Sequence, residues 1–292
     1  MKRASRDIAL SGAASRLKFP ASGNSSGFMV LPAVLYFALI YAIPLVLLLL
    51  RSVWTPEGFS IASYREFFAD PFGWRVIGNT LWIAFWVSLL SILIGYPMAV
   101  ALSRARGWTQ VLLFVSLILP LSIGAVVKTF SWQIVLRRDG VINLFLQKLG
   151  IVDEPARLLF TEPGLIIGAL NILLPFMVLP IYSVIKQIDP EIASAATTLG
   201  AGPVYRFLHV SMPLSMPGII AGTAFVFSMS VAMYVIPSLL IGDRFQTLST
   251  LTGRSFLFLR NETLGATTAV ILLFISILVI FLSDRLSRRF SP

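Results

Sequence analysis

Residues 78–102 read GNTLWIAFWVSLLSILIGYPMAVAL, 25 residues without one Asp, Glu, Lys or Arg. About 20 apolar residues at helical rise cross the hydrocarbon core of a bilayer. This stretch is therefore read as a membrane span, and similar runs lie on both sides of it. Met29–Leu50 precedes it, and Gln110–Leu136, Gly164–Ile185, Gly218–Ile241 and Ala266–Leu282 follow. Met29–Leu50 has 22 residues and leads into Arg51 without a small-residue cleavage pattern. A cleaved signal has an apolar region of only about 7–15 residues, so this run is read as a retained first helix. Pro44, Pro97, Pro120, Pro175, Pro180 and Pro237 fall inside the runs. Neighbouring helices re-satisfy the carbonyls that proline frees in a membrane bundle, so kinks are expected rather than breaks.

The whole composition agrees. Of 292 residues, 57% are apolar and only 12% are charged, against roughly 25% charged in a soluble domain. A soluble enzyme, a disordered chain and a secreted disulfide scaffold are excluded. Cysteine is absent and His209 is the single histidine. No cofactor is expected: thiolate zinc, iron–sulfur and histidine-built metal sites lack their ligands. The net charge of +10 fits lipid headgroups and cytoplasmic loops better than nucleic acid.

Six spans put both termini on one side. With the termini inside, inner segments carry 12 Lys and Arg and outer segments 10. The tails are the sharper signal. Lys2, Arg3, Arg6, Arg16 and Lys18 crowd the segment 1–28, and Arg285, Arg288 and Arg289 the segment 285–292. The positive-inside rule then places both termini in the cytoplasm.

Catalytic signatures are missing. No acid lies in any span, and neither G-x-S-x-G nor H-E-x-x-H occurs. The only Lys-Ser/Thr pair, Lys128-Thr129, follows Val127 and lies in a span, so it cannot close a phosphate-cradling loop. The chain is not expected to be an enzyme. An ion-coupled secondary transporter would need internal repeats and a buried ion relay, and neither is visible.

The longest polar connection after the first third of the chain runs KQIDPEIASAATTLGAGPVYRFLHVSMPLSMPG, residues 186–218. Asp189 is an N-cap, Pro190 fits the first helical position and Glu191 the first turn. Ile192, Ala195, Ala196 and Leu199 recur at helical spacing, and Gly200 is a C-terminal stop. A second short helix starts at Gly202-Pro203, carries the stripe Val204, Phe207 and Leu208, and is expected to end at Pro213. Such a protrusion fits two roles equally: docking into a groove on a partner, or lying on headgroups as an interfacial connection.

The run Ala195-Ala196-x-x-Leu199-Gly200-Ala201, then Phe207, Met212-Pro213 and Pro217-Gly218-Ile219, resembles the "EAA" loop of permease subunits of binding-protein-dependent ABC importers. The likeness extends over residues 74–284, with Met29–Leu50 as an additional leading span. It implies an all-α integral membrane protein, a six-helix importer-permease bundle with a cytoplasmic coupling helix. It further implies a second permease subunit, cytoplasmic ABC ATPase subunits on the loop, and an extracytoplasmic solute-binding protein meeting Arg51–Ile77 and Arg137–Pro163. The host membrane would be a bacterial inner membrane. The motif's Glu falls on Ser194 here; Glu191, one turn earlier, shares that face. Within the family the chain looks most like the spermidine/putrescine branch. An opine-like, anionic or other small organic solute is the alternative, since the spans hold no carboxylate to stabilise a polycation.

Lys128 is the one charge inside a span. Burying it unpaired is costly, so it either faces a water-filled path or snorkels at a span end. Asn79 and Asn171 are expected to hydrogen-bond between helices, and Gly218-x-x-x-Gly222 to allow close helix approach.

Overall fold

The computed structural model describes residues 25–55 and 58–290. The basic residues Lys2, Arg3, Arg6, Arg16 and Lys18 lie outside the described residues. The chain divides into two units, with the boundary between Leu48 and Leu49.

In the first unit, α1 (Ser25–Phe37) passes through a π-helical turn, Ala38–Ala42, into α2 (Ile43–Val53), whose last five residues belong to the second unit. The apolar stretch Val30–Val53 is long enough to cross a membrane. The π turn sits directly before Pro44. Its extra residue per turn takes up the hydrogen bond that the proline cannot make.

The second unit opens with the last residues of α2, followed by a short hairpin, β1 (Trp54–Thr55) against β2 (Gly58–Phe59), and the short helix α3 (Ala62–Ala69). Then comes α4 (Pro71–Arg104). Its N-cap is Asp70, whose Oδ1 accepts from Phe72 N at 2.8 Å, with Pro71 at the first position. α5 (Trp108–Ile118) and α6 (Ala125–Val135) follow, then the short α7 (Val141–Lys148). α8 (Glu162–Gln187) is the most buried of the long helices. After α9 (Pro190–Thr198) and α10 (Pro203–Arg206) come α11 (Met212–Ala232), α12 (Val235–Leu240), α13 (Leu248–Leu257) and α14 (Glu262–Phe290).

The core forms where α4 and α11 close on α8. Ile83, Val87, Leu165, Met177, Ile181 and Val226 are fully buried there. Gly218 and Gly222 set the spacing between α11 and α8. A Cβ on Gly222 would lie 2.9 Å from Met177 Sδ and 3.1 Å from its carbonyl, so only glycine lets these backbones approach so closely. A second cluster joins Phe67, Val76, Leu248, Leu251 and Ile271.

Among the described residues, five helical stretches are long and apolar enough to span, and six if the bent pair α5 and α6 counts as one. That pair corrects the expectation of kinks. The third run breaks by 105° across a 3₁₀ turn, Leu119–Ser122. Pro120 removes a donor, and tertiary hydrogen bonds then hold the second half in its own direction. Gln133 Nε2 donates to the Leu239 carbonyl at 2.6 Å and Trp132 Nε1 to Asn171 Oδ1 at 3.2 Å. The fifth run also breaks. α11 stops at Ala232, and Ser249 Oγ satisfies the Met233 carbonyl before α12 begins. Pro213 does not end a helix, as the sequence suggests, but sits in the first turn of α11. A second π turn, Phe207–Ser211, precedes it, and Met212 N reaches back five residues to the Phe207 carbonyl. The prolines at 44 and 213 are thus accommodated in the same way.

Candidate coupling loop and membrane path

The loop is built from local signals that the structure makes concrete. Asp189 Oδ1 accepts from Glu191 N at 2.9 Å, and Pro190 occupies the first helical position of α9. The helix stops at Gly200, which adopts φ +84°. Gly200 N donates to the Thr197 carbonyl and Ala201 N to the Ala196 carbonyl, both at 3.0 Å. This pair of bonds is the Schellman stop, and its left-handed residue favours glycine.

Three contacts in series link α9 to the bundle. Arg206 of α10 donates to Thr197 Oγ1 at 2.7 Å, tying the two loop helices together. The Phe207 ring meets the buried Tyr96 ring of α4 edge-on, with centroids 5.5 Å apart. Ser215 Oγ of α11 donates to Tyr96 Oη at 3.2 Å. Contacts thus run without interruption from α9 through Arg206 and Phe207 to α4 and α11. Tyr96, Thr197, Arg206 and Ser215 are the parts of this linkage that sequence reasoning did not single out. A tyrosine next to Pro97 inside an otherwise apolar span is the signal that points to it.

The free face of the loop is apolar. Leu199 is 88% exposed, and Val204, Tyr205 and Leu208 are exposed beside it. Glu191, Ser194 and Ala195 are exposed, and Ala196 is half-buried. His209 stacks on Tyr205 with ring centroids 4.1 Å apart, which places it on the loop surface. Asp189, Glu191, Ser194, Ala195, Ala196, Leu199, Gly200 and Phe207 thus form one protrusion, with Pro213 at its base.

Lys128 lies on a different element, 61 residues before Asp189. It is half-buried in the first turn of α6, just past the break in the third run. Close to the break in the fifth run, a cavity of about 450 Å³ is lined by Tyr234, Ser238, Gln246, Thr250, Arg254 and Phe258, among others. Asn79 Nδ2 of α4 donates to the Gln246 carbonyl at 3.0 Å, and Thr80 Oγ1 accepts from Leu248 N at 2.8 Å, which pins the start of α13. Among the described residues, no group of three or more His, Asp or Glu could hold a metal ion.

Comparison with known proteins decides the family. Residues 91–292 match the family described as binding-protein-dependent transport system inner membrane component. The chain belongs to that family. It is 32% identical to the spermidine/putrescine transport system permease protein PotB of Haemophilus influenzae, covering 88% of this chain and 92% of that protein. The Escherichia coli K12 protein of the same description is 33% identical over 79% of this chain and 83% of its own length. The inner membrane ABC transporter permease protein YdcU of Escherichia coli K12 is 30% identical over 75% and 80%. Among solved structures, a chain of a bacterial ABC transporter that imports the acidic polysaccharide alginate superposes with a TM-score of 0.72. It is 18% identical and covers 91% of this chain and 96% of that one. A chain of the MetNI methionine ABC transporter gives 0.58 at 17% identity, covering 76% and 99%. These two likenesses establish the importer-permease fold. The protein is a membrane component of a binding-protein-dependent importer, a transport subunit, as the resemblance implied.

Proposed function

We propose that the chain forms part of the translocation path of an ATP-driven importer, with α9 and α10 as the surface that receives the ATPase subunits. The observation that carries this reading is mechanical. The loop presents an exposed apolar face around Leu199, and its inner side is coupled to α4 and α11 through Arg206, Phe207, Tyr96 and Ser215. A connection resting on headgroups needs no such transmission. A second permease subunit completes the path, and an extracytoplasmic solute-binding protein delivers solute to the opposite end. Both termini are cytoplasmic and the membrane is a bacterial inner membrane. In the loop, Asp189 caps α9, Gly200 stops it, and Glu191 supplies the acid missing at Ser194.

The solute proposed is polyamine-like, from the relatives whose names carry spermidine and putrescine. One observation favours a second reading, an anionic or opine-like solute: the six apolar runs contain no Asp or Glu, while Lys128 lies within one. Purified importer in proteoliposomes, loaded with ATP and offered labelled spermidine, tests both. Uptake abolished by excess putrescine and indifferent to organic anions supports the first reading. Labelled organic anions taken up in place of spermidine support the second. Absence of ATP-dependent uptake of both contradicts the role itself.

A further inference from the structure

We propose that α7 is an interfacial anchor, its exposed face lying in the bilayer interface at the end of the molecule opposite α9. The argument starts from Asn143, which is fully buried. Its Nδ2 donates to the carbonyls of Arg137 at 3.0 Å and Ala156 at 2.9 Å, and its Oδ1 accepts from Ala156 N at 2.9 Å. These bonds fix which side of α7 faces the protein. At 100° per residue, Val141, Leu144, Phe145 and Lys148 fall on the other side. Val141 is 67% exposed and Phe145 62%, and Leu149 and Ile151 extend the apolar strip beyond the helix. An eight-residue helix that displays its apolar side outward has no reason to do so in water.

Two observations choose phospholipid as the occupant. First, the strip continues the exposed apolar side of a helix pair long and apolar enough to cross a membrane. Val141 lies six residues past the end of α6, whose Val126, Val127, Phe130 and Ile134 are exposed. Second, the charge pattern suits headgroups. Lys148 sits within the strip at the C-terminal end of α7, and among the described residues no carboxylate pairs with it. A protein interface would have to bury that ammonium. At a bilayer its stem lies along apolar surface and its head reaches phosphate. Arg138 is exposed at the other end of the strip, beside Arg137, which pairs with Asp139 at 3.8 Å. The helix thereby holds the outer end of the broken α5–α6 pair at a fixed depth.

The reading rests on membrane insertion and not on the coupling role of α9. The chain has no native cysteine, so single labels are unambiguous. The complete importer carrying Phe145→Cys or Leu144→Cys is labelled with bimane and reconstituted in vesicles of phosphatidylethanolamine and phosphatidylglycerol. Glu154→Cys, in the exposed loop after α7, is the reference. Lipid bearing a doxyl group high on its acyl chain should quench positions 144 and 145 at least about twofold more than position 154, with iodide showing the reverse order. Iodide quenching of 144 and 145 equal to that of 154 would overturn the proposal, because the strip would then face water. Shielding from both quenchers would overturn it too, because a protein would then cover the strip. Uptake measured on the same variants keeps this outcome separate from that of the coupling role.

Discussion

Replacing Gly200 with valine isolates the loop's geometry from everything else in the molecule. Gly200 holds φ +84°, and a Cβ there would meet nothing within 4 Å. The cost is therefore conformational and not steric crowding by neighbours. A left-handed L-residue costs roughly 1–2 kcal/mol, and a β-branched one lies at the upper end or beyond. If position 200 leaves that region, the Gly200–Thr197 and Ala201–Ala196 bonds go as well, at about 0.5–1.5 kcal/mol each before a discount for exposure. A loss of roughly 1.5–3 kcal/mol lowers the population of the native turn about ten- to hundredfold. A nine-residue helix cannot hold its end by itself, so α9 frays at Ala196 and Leu199. The effect should be graded, with Gly200→Asn mild, Gly200→Ala intermediate and Gly200→Val severe. The assay is retention of the ATPase on purification together with ATP-coupled uptake, beside a membrane-insertion control. Normal insertion, full retention and full coupling in Gly200→Val would refute the reasoning and leave the loop a headgroup-lying connection.

Four further outcomes are expected. Glu191→Lys should weaken ATPase retention while Ser194→Glu keeps or tightens it; a pull-down in which neither variant differs from wild type removes Glu191 from the docking face. Lys128→Met should alter uptake with assembly unchanged, and Lys128→Cys should react with a water-soluble thiol reagent in at least one nucleotide state; no labelling in any state contradicts a path-facing Lys128. Gly222→Val forces its new carbons against Met177 and should lower the melting temperature of the detergent-purified complex, at a cost of about 1–3 kcal/mol, with Gly222→Ala less affected; an unchanged melting temperature would mean that α11 and α8 are not packed that closely. A reporter after Pro292 should be active only in its cytoplasmic form and one within residues 137–163 only in its external form; matching signals would contradict the six-span topology.

The loop was legible because its instructions are local. Asp189, Pro190 and Gly200 each act within a few residues, and the cap and the stop follow from their own chemistry. The spans were legible because a bilayer demands long apolar helices of any sequence. What escaped the sequence depends on partners far along the chain. The 105° break in the third run needs Gln133 to find the Leu239 carbonyl and Trp132 to find Asn171. Pro120 alone signals a kink as readily as a break. Pro213 reads as a terminator, yet a π turn one residue earlier absorbs it. α3, α7 and α13 are too short for periodicity to separate from loop, and Asn143 and Thr80 orient two of them through bonds that no local pattern announces.

The most direct test of the coupling role is a contact at the exposed tip of the loop. Leu199→Cys carries its label at the most exposed apolar position of α9 and its stop, and Glu154→Cys, at the other end of α8, serves as the counterpart. Each is fitted with a photo-crosslinker in the assembled importer and irradiated with and without ATP. A covalent adduct between position 199 and the ATPase subunit, changing in yield with nucleotide and absent from position 154, is the result predicted. An adduct of position 199 with lipid alone, in an importer that still couples ATP hydrolysis to uptake, would contradict it.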